Sequence, residues 1–369
     1  MIRLLHLLRS AVAALLAVAL AQANAHAGQG FPNVKQNLFV AARASQAITV
    51  IDTDLERVAG TLELGLEPKQ LIVSDSVAKL AAIDETVPRI VLAELVSGET
   101  KSIDLDFIPA KLLLAPDGIQ LAVAGADKIA FLDLLFVKET ARATGLPPVR
   151  DAVFSGDSRL VLASFAGSNG VVIIDAGTGR ETGRIAWKTG VSAIVRSANG
   201  REGFAKAASG SEVAHLDLIN GRVVGELQAS AGAEIVSSGL GKWLLAADAS
   251  EGKLRVAQSS PFKAAATLDA GPGVSALYSA WFDTVAIASA FRKAVVYDLD
   301  AMIKVRDIPL DGTAGPGSVT PDGKKLFLPL EEAGKVAVID AQTRRLTNTI
   351  PVGPRPAAAI MAGGYGVCH

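Results

Sequence analysis

The chain has 369 residues, of which 50 % are hydrophobic and 20 % are charged, with a formal net charge of −1. This near-neutral balance excludes a general electrostatic attraction to nucleic acid or to anionic lipid. A single cysteine excludes an intramolecular disulfide, so buried apolar surface must stabilise the fold.

The N-terminal residues have the pattern of a secretory signal peptide. Two arginines precede an apolar run from Ala11 to Ala21, and small residues follow as far as Ala27. The apolar run is shorter than the roughly 20 residues that a membrane-spanning helix needs. We therefore expect residues 1–27 to be cleaved and residues 28–369 to form a single exported domain, most simply in a bacterial periplasm and without a membrane span.

A short apolar strand that ends in a polar, usually acidic, residue recurs every 39 to 42 positions along this exported domain. The strand-end residues are Asp52, Glu94, Asp133, Asp175, Asp217, Gln258, Asp298 and Asp340. Such a period is the signature of a repeat architecture, and eight copies leave no room for a second domain. Because the acids recur once per repeat, they are interpreted as residues that cap turns rather than as catalytic carboxylates.

Each repeat also contains a tight turn between two strands, as in "LLLAPDGIQLAVAG" and "SVTPDGKKLFLPL". A repeat is therefore a meander of about four strands, and stacking such sheets around a ring buries both apolar faces. The sequence predicts an all-β, eight-bladed β-propeller of four-stranded antiparallel blades. The first repeat lacks an inner strand and "PAAAIM" follows the last repeat, so we expect the C-terminal strand to close the ring within the first blade.

The stretch "TPDGKKLFLPLEEAGKVAVIDAQTRRLTNTIPVGPRP" resembles the YVTN repeat of YncE-like exported propellers, and the similarity extends over nearly all of the exported domain. The resemblance implies a binding or surface module without a defined activity. The repeat is also similar to the haem d1 propeller of nitrite reductases, which is eight-bladed and implies axial histidine ligands. Of the four histidines, only His215 and His369 remain after the leader is removed.

His215 has a structural and a functional interpretation. The equivalent position in the other repeats is apolar, which favours a core histidine packed between blades. The alternative is a metal or cofactor ligand. The C-terminal pair Cys368 and His369 is a second candidate metal contact, through thiolate and imidazole, although an unremarkable tail is the simpler interpretation. The metal candidates are thus His215, Cys368 and His369.

A half-ring of cations is predicted at the mouth where the inner strands begin. Ligands of propellers usually bind at this mouth, and a set of cations there favours a carboxylate, a phosphate or an acidic peptide. The alternative is a set of solvated rim charges. The candidate ligand-binding residues are Arg43, Lys69, Lys111, Arg150 and Arg355, whereas the sixth repeat carries Glu234 at the corresponding place.

No nucleophile motif, phosphate loop or cluster of residues with metal-ligand spacing is present elsewhere, which favours a non-enzymatic role and leaves the question of an enzyme open. The first hypothesis is an exported binding or scaffold module for an anionic small molecule or a periplasmic protein, with the cofactor unknown. The alternatives are a haem d1 or quinone-type oxidoreductase or carrier, and a periplasmic metal-handling protein.

Overall fold

The computed structural model describes residues 29–363. The expected signal peptide, Cys368 and His369 lie outside these residues, so the predictions made for them stay predictions. The described residues form eight four-stranded antiparallel sheets arranged in a ring, which confirms the eight-bladed β-propeller. One short 3-10 helix, Val34–Gln36, precedes the first strand. No helix in the described part of the chain has both the length and the apolar composition that crossing a membrane requires.

The blades are numbered in chain order, and each contains an inner strand, two middle strands and an outer strand. The first blade contains β1 (Asn37–Ala42), β2 (Ala47–Asp52), β3 (Arg57–Glu63) and β32 (Pro356–Met361); the second β4 (Gln70–Ser74), β5 (Lys79–Ile83), β6 (Arg89–Glu94) and β7 (Thr100–Asp104); the third β8 (Lys111–Leu114), β9 (Gln120–Ala124), β10 (Lys128–Asp133) and β11 (Lys138–Thr144); the fourth β12 (Val149–Phe154), β13 (Leu160–Phe165), β14 (Val171–Asp175) and β15 (Glu181–Ile185).

The last four blades repeat this order with the inner strand first. The fifth blade contains β16 (Val191–Arg196), β17 (Glu202–Ala207), β18 (Glu212–Asp217) and β19 (Arg222–Gln228); the sixth β20 (Glu234–Ser237), β21 (Trp243–Asp248), β22 (Lys253–Gln258) and β23 (Lys263–Asp269); the seventh β24 (Ala276–Ala280), β25 (Val285–Ala290), β26 (Lys293–Asp298) and β27 (Ile303–Pro309); the eighth β28 (Ser318–Val319), β29 (Lys325–Leu330), β30 (Lys335–Asp340) and β31 (Arg345–Pro351).

The C-terminal strand closes the ring, as the sequence predicts. Strand β32 is the inner strand of the first blade and pairs antiparallel with β1, with Val40 opposite Ala359. A hydrogen bond from the Ala359 N–H to the Pro316 carbonyl oxygen, 2.9 Å long, joins this strand to the eighth blade. The first and last repeats are therefore joined without a free sheet edge between them.

The strand-end acids cap turns, as predicted. Asp52 Oδ1 accepts hydrogen bonds from the backbone N–H groups of Asp54 and Leu55, at 3.0 and 2.9 Å. Asp340 makes the equivalent bond to the N–H of Thr343 at 2.6 Å and also accepts its hydroxyl. These carboxylates accept hydrogen bonds from backbone N–H groups of their own turns, which explains why they recur in most blades.

The apolar core lies between neighbouring blades. Side chains of the inner and middle strands are fully buried there, including Phe131 of the third blade and Phe154 of the fourth. The outer strands are mostly exposed, as in β31, although β19 alternates exposed and partly buried residues. The packing leaves a central channel lined by the inner strands, and this channel positions the candidate site.

Candidate functional site

We define the upper face of the propeller as the one formed by the connections into the inner strands and by the loops between second and third strands. Lys111 and Glu234 begin inner strands at this face, and Arg150 is the second residue of β12. Lys69 and Arg355 immediately precede inner strands, and Arg43 immediately follows β1. The structure therefore places the five predicted cations and Glu234 around one mouth.

Two of these cations share a single carboxylate. Arg43 Nε lies 2.9 Å from one oxygen of Glu331, and Arg355 Nε lies 3.1 Å from the other. The hydrogen bond from Arg43 lowers the pKa of Glu331, so this acid is ionised at neutral pH. Two guanidinium groups against one carboxylate leave an excess of positive charge beside the first and eighth blades.

Lys69 and Lys111 each have an acidic partner of their own. Lys69 Nζ lies 2.6 Å from the carboxylate of Glu67, and this contact lowers the pKa of that acid. Lys111 forms an ion pair with Asp151 of the neighbouring blade. Burial lowers the pKa of Lys111, because the channel wall replaces much of its hydration.

Asp151 connects three blades. One carboxylate oxygen pairs with Lys111 of the third blade, and the other accepts the Ile194 N–H of the fifth blade at 2.6 Å. The register of β12 shifts between Val149 and Asp151, so Arg150 sits on a β-bulge. Arg150 is exposed, and within residues 29–363 it forms no ion pair.

A cavity of about 370 Å³ opens in the channel beside these residues. Its walls are mostly apolar and come from the inner strands of several blades, with Leu113, Val153 and Ile360 among them. Lys111 and Asp151 lie at its upper end, whereas Arg196 is the last residue of β16 and lies at its lower end. Arg196 is 8 % exposed and also lines a cleft of about 450 Å³ on the lower face.

Sequence reasoning missed Arg196 and Lys206. Lys206 is 1 % exposed, and its Nζ donates to the carbonyl oxygens of Ala207, Gly210 and Ala231 at 3.1, 3.0 and 3.2 Å. It therefore joins a loop of the fifth blade to the connection that enters β20. Arg196 ends an inner strand in a position where several blades have serine or an apolar residue, and this interruption of the pattern was the available signal.

His215 lies between the fifth and sixth blades and does not line the channel cavity. Its ring stacks on Phe204 at a centroid distance of 5.3 Å and contacts Phe262 at 5.1 Å. Burial lowers the pKa of His215, and the carboxylates of Glu202 and Asp217 oppose this effect. His215 is thus packed against two aromatic rings, and its role as a metal or cofactor ligand stays a prediction.

Among the residues that line this cavity there is no histidine, and the axial ligand that the haem d1 resemblance implies stays a prediction. Between residues 29 and 363, no group of three or more His, Cys, Asp or Glu side chains is arranged to hold a metal ion. Cys368 and His369 lie outside this range, so a metal contact there stays a prediction.

Comparisons with known proteins support the fold and go no further. No family model matches the chain, and no curated protein matches it in sequence, so membership of the YVTN repeat family stays a prediction. The solved structure of dihydro-haem d1 dehydrogenase NirN in complex with DHE has a TM-score of 0.76 at 13 % identity, covering 91 % of this chain and 76 % of NirN.

Two other solved structures are similar over most of their length. Apo AztD from Citrobacter koseri has a TM-score of 0.67 at 16 % identity, covering 89 % of this chain and 98 % of AztD. Hydrazine synthase of Kuenenia stuttgartiensis has a TM-score of 0.56 at 16 % identity, covering 74 % of this chain and 95 % of that one. At these identities the likeness shows the fold alone, and the chain is an eight-bladed β-propeller similar in fold to NirN and AztD.

Proposed function

We propose that this propeller is an exported binding module whose central channel takes an organic anion with an apolar body. The observation that carries the proposal is the cavity of about 370 Å³, which has mostly apolar walls, with Lys111 and its partner Asp151 at the upper end and Arg196 at the lower end. Binding sites for small molecules are typically concave and apolar, with a few polar groups that fix orientation.

The exposed guanidinium of Arg150 adds to this site. Arg150 directly precedes Asp151, the partner of Lys111, near the start of inner strand β12. The Glu331 carboxylate has two arginine partners, so the rim of the first blade retains positive charge as well. A carboxylate that approaches the mouth therefore encounters a favourable potential, and a guanidinium can hold it through two parallel hydrogen bonds.

The apolar walls favour a ligand with a hydrocarbon body over inorganic phosphate or sulfate. Each buried methylene group of such a ligand contributes about 0.8 kcal/mol. A series of straight-chain carboxylates should therefore bind more tightly as the chain lengthens from butyrate to caproate, until the cavity is filled.

Calorimetric titration of the mature protein with butyrate and caproate tests the proposal. Arg150→Glu is the informative variant, because the side chain is exposed and its replacement should leave the fold intact. We expect at least an approximately fivefold loss of caproate affinity, corresponding to about 1 kcal/mol. The control is Arg306→Glu, which makes the same charge change at an exposed position of outer strand β27. Absence of caproate binding, or equal losses in both variants, would refute the proposed function.

Export is a separate part of this proposal and rests on the N-terminal sequence pattern. N-terminal sequencing of protein recovered from a periplasmic fraction should give a chain that starts at Gly28. Recovery of an uncleaved chain from the cytoplasm would contradict it.

A further inference from the structure

Glu234 differs from the other acids of the propeller. Its side chain is exposed at the mouth, yet the neighbouring protein desolvates the carboxylate and raises its pKa to about 7. Among the described residues, every other carboxyl group with a displaced pKa has it lowered by hydrogen bonds or by a cation, as Glu331 and Asp248 do.

No described residue compensates the charge of Glu234. Within residues 29–363 its side chain forms neither a hydrogen bond nor an ion pair, and no cation shifts its pKa. The strands packed against β20 are β16, β21 and β24. The one ionisable residue of β16, Arg196, lies at the lower end of that strand, far from the mouth. In β21, the carboxylate of Asp248 accepts hydrogen bonds from the N–H and the hydroxyl of Ser250.

Two further polar groups lie on this side of the mouth. Tyr278 of β24 has its hydroxyl near enough to Glu234 for the carboxylate to raise its pKa, and the same oxygen accepts the Gly317 N–H at 2.9 Å. The ammonium of Lys206 is occupied by three carbonyl oxygens, one of them in the connection that leads into β20. Lys206 therefore holds the strand that carries Glu234 without neutralising it.

The mouth is thus polarised. Cations lie on the side of the first four blades, with Arg150 exposed there, whereas an uncompensated carboxylate lies on the sixth blade. An ionised carboxylate in a partly desolvated position is costly unless a cation joins it, and such groups are concentrated at functional sites. A simple anion would use the cationic side and be repelled by Glu234.

From this arrangement we infer that the channel ligand is zwitterionic, with a carboxylate on the side of Lys111 and Arg150 and an ammonium group at Glu234 and the Tyr278 hydroxyl. The inference rests on the proposed function and specifies its ligand class, which includes ω-amino acids and short peptides. A hard divalent cation fits less well, since it takes six or more oxygen ligands and within residues 29–363 no group of three or more His, Cys, Asp or Glu side chains is arranged to hold a metal ion.

Matched pairs of probes test the inference, each pair having the same carboxylate and hydrocarbon chain with and without a terminal amine. The pairs are ε-aminocaproate with caproate, and γ-aminobutyrate with butyrate, titrated by calorimetry at pH 6 and pH 8. In the pair whose chain length fits the channel better, we expect the amino acid to bind about tenfold more tightly than the carboxylate without an amine at pH 8. The advantage should shrink at pH 6, where Glu234 is mostly protonated, and amine binding at pH 7 should release protons.

Glu234→Gln should remove the advantage of the amine and leave caproate binding unchanged or slightly tighter. The control Glu63→Gln changes an exposed acid at the end of outer strand β3 and should behave as the wild type. If caproate binds through Arg150 but the amine confers no advantage, the ligand class is wrong and the proposed function stands. If neither pair binds, or if hexylamine binds and caproate does not, the proposed function fails as well.

Discussion

Lys111 of the third blade and Asp151 of the fourth form an ion pair at the upper end of the channel. The carboxylate cannot readily leave this position, because its other oxygen accepts the Ile194 N–H at 2.6 Å. A ligand anion that approaches Lys111 therefore competes with an acid that is fixed in place. This competition, together with the exposure of Arg150, determines how the mouth should respond to substitution.

The first prediction concerns Asp151→Asn, which preserves an acceptor for the Ile194 N–H and removes the charge opposite Lys111. Caproate affinity should rise about fivefold, because the ammonium is released for the ligand. Stability to urea should fall by about 1–2 kcal/mol, since Lys111 is partly buried and loses its partner. Asp106→Asn is the control, because Asp106 pairs with Lys128 and Arg142 away from the channel. Unchanged or weaker caproate binding in Asp151→Asn would show that the pair does not restrain the site.

The second prediction concerns the buried ammonium of Lys206. Lys206→Met should cost about 3 kcal/mol in the free energy of unfolding, because three carbonyl oxygens lose their donor in a buried position. Lys263→Met, at the exposed start of β23, should change stability by less than about 0.5 kcal/mol. Urea unfolding measures both variants. Equal stability of the two would mean that water replaces Lys206 without cost.

The third prediction concerns the pH dependence that His215 imposes. Burial lowers the pKa of His215 from its ordinary value of 6.5, so the unfolded chain binds a proton that the folded chain does not. Stability should therefore be lost as the pH falls below about 6.5. His215→Phe should keep the contacts with Phe204 and Phe262. As the pH falls from 8 to 5, its free energy of unfolding should therefore decrease less than that of the wild type.

A companion variant checks the origin of this effect. Glu202 lies 3.6 Å from His215 Nε2, and its carboxylate favours the protonated ring. Glu202→Gln should therefore make the acid-side loss of stability steeper. If His215→Phe and the wild type lose stability in parallel, titration of this histidine is not coupled to folding.

The fourth prediction concerns Glu234, for which the direction of the pH effect is reversed. Its pKa is raised from 4.5 to about 7, so the folded protein keeps a proton that the unfolded chain releases. Wild-type stability should decline between about pH 4.5 and pH 7 on account of this residue. Glu234→Gln should then be more stable than the wild type at pH 8, by less than about 1 kcal/mol because water reaches the side chain. A difference between the two proteins that does not change with pH would contradict the assignment.

Much of the fold could be predicted because the same strand and turn pattern recurs in most of the eight repeats. The strand-end acids and the Asp-Gly turns are local features, and each is read within a few residues of sequence. The closing strand was also predictable, since the first repeat lacked an inner strand and "PAAAIM" remained unassigned. No single substitution or irregular repeat obscured the count of eight.

The candidate site was predictable only in outline. The positions of Lys69, Lys111 and Glu234 follow from the repeat, but their partners do not, because Lys111 meets Asp151 only after the third and fourth blades have packed together. Arg43 pairs with Glu331 at a separation of 288 residues, which only ring closure brings together. Arg150 lies at a register shift between β12 and β13, for which the sequence contained no signal.

The most direct measurement is a crystal structure of the mature protein with ω-bromocaproate, recorded at the bromine absorption edge. We expect an anomalous peak inside the channel cavity, among the apolar residues Leu113, Val153 and Ile360, with the carboxylate near Arg150 and Lys111. The peak should disappear in Arg150→Glu at the same ligand concentration. A channel without bromine at a saturating concentration, or a peak only on the outer surface of the blades, would contradict the claim that the channel binds organic anions.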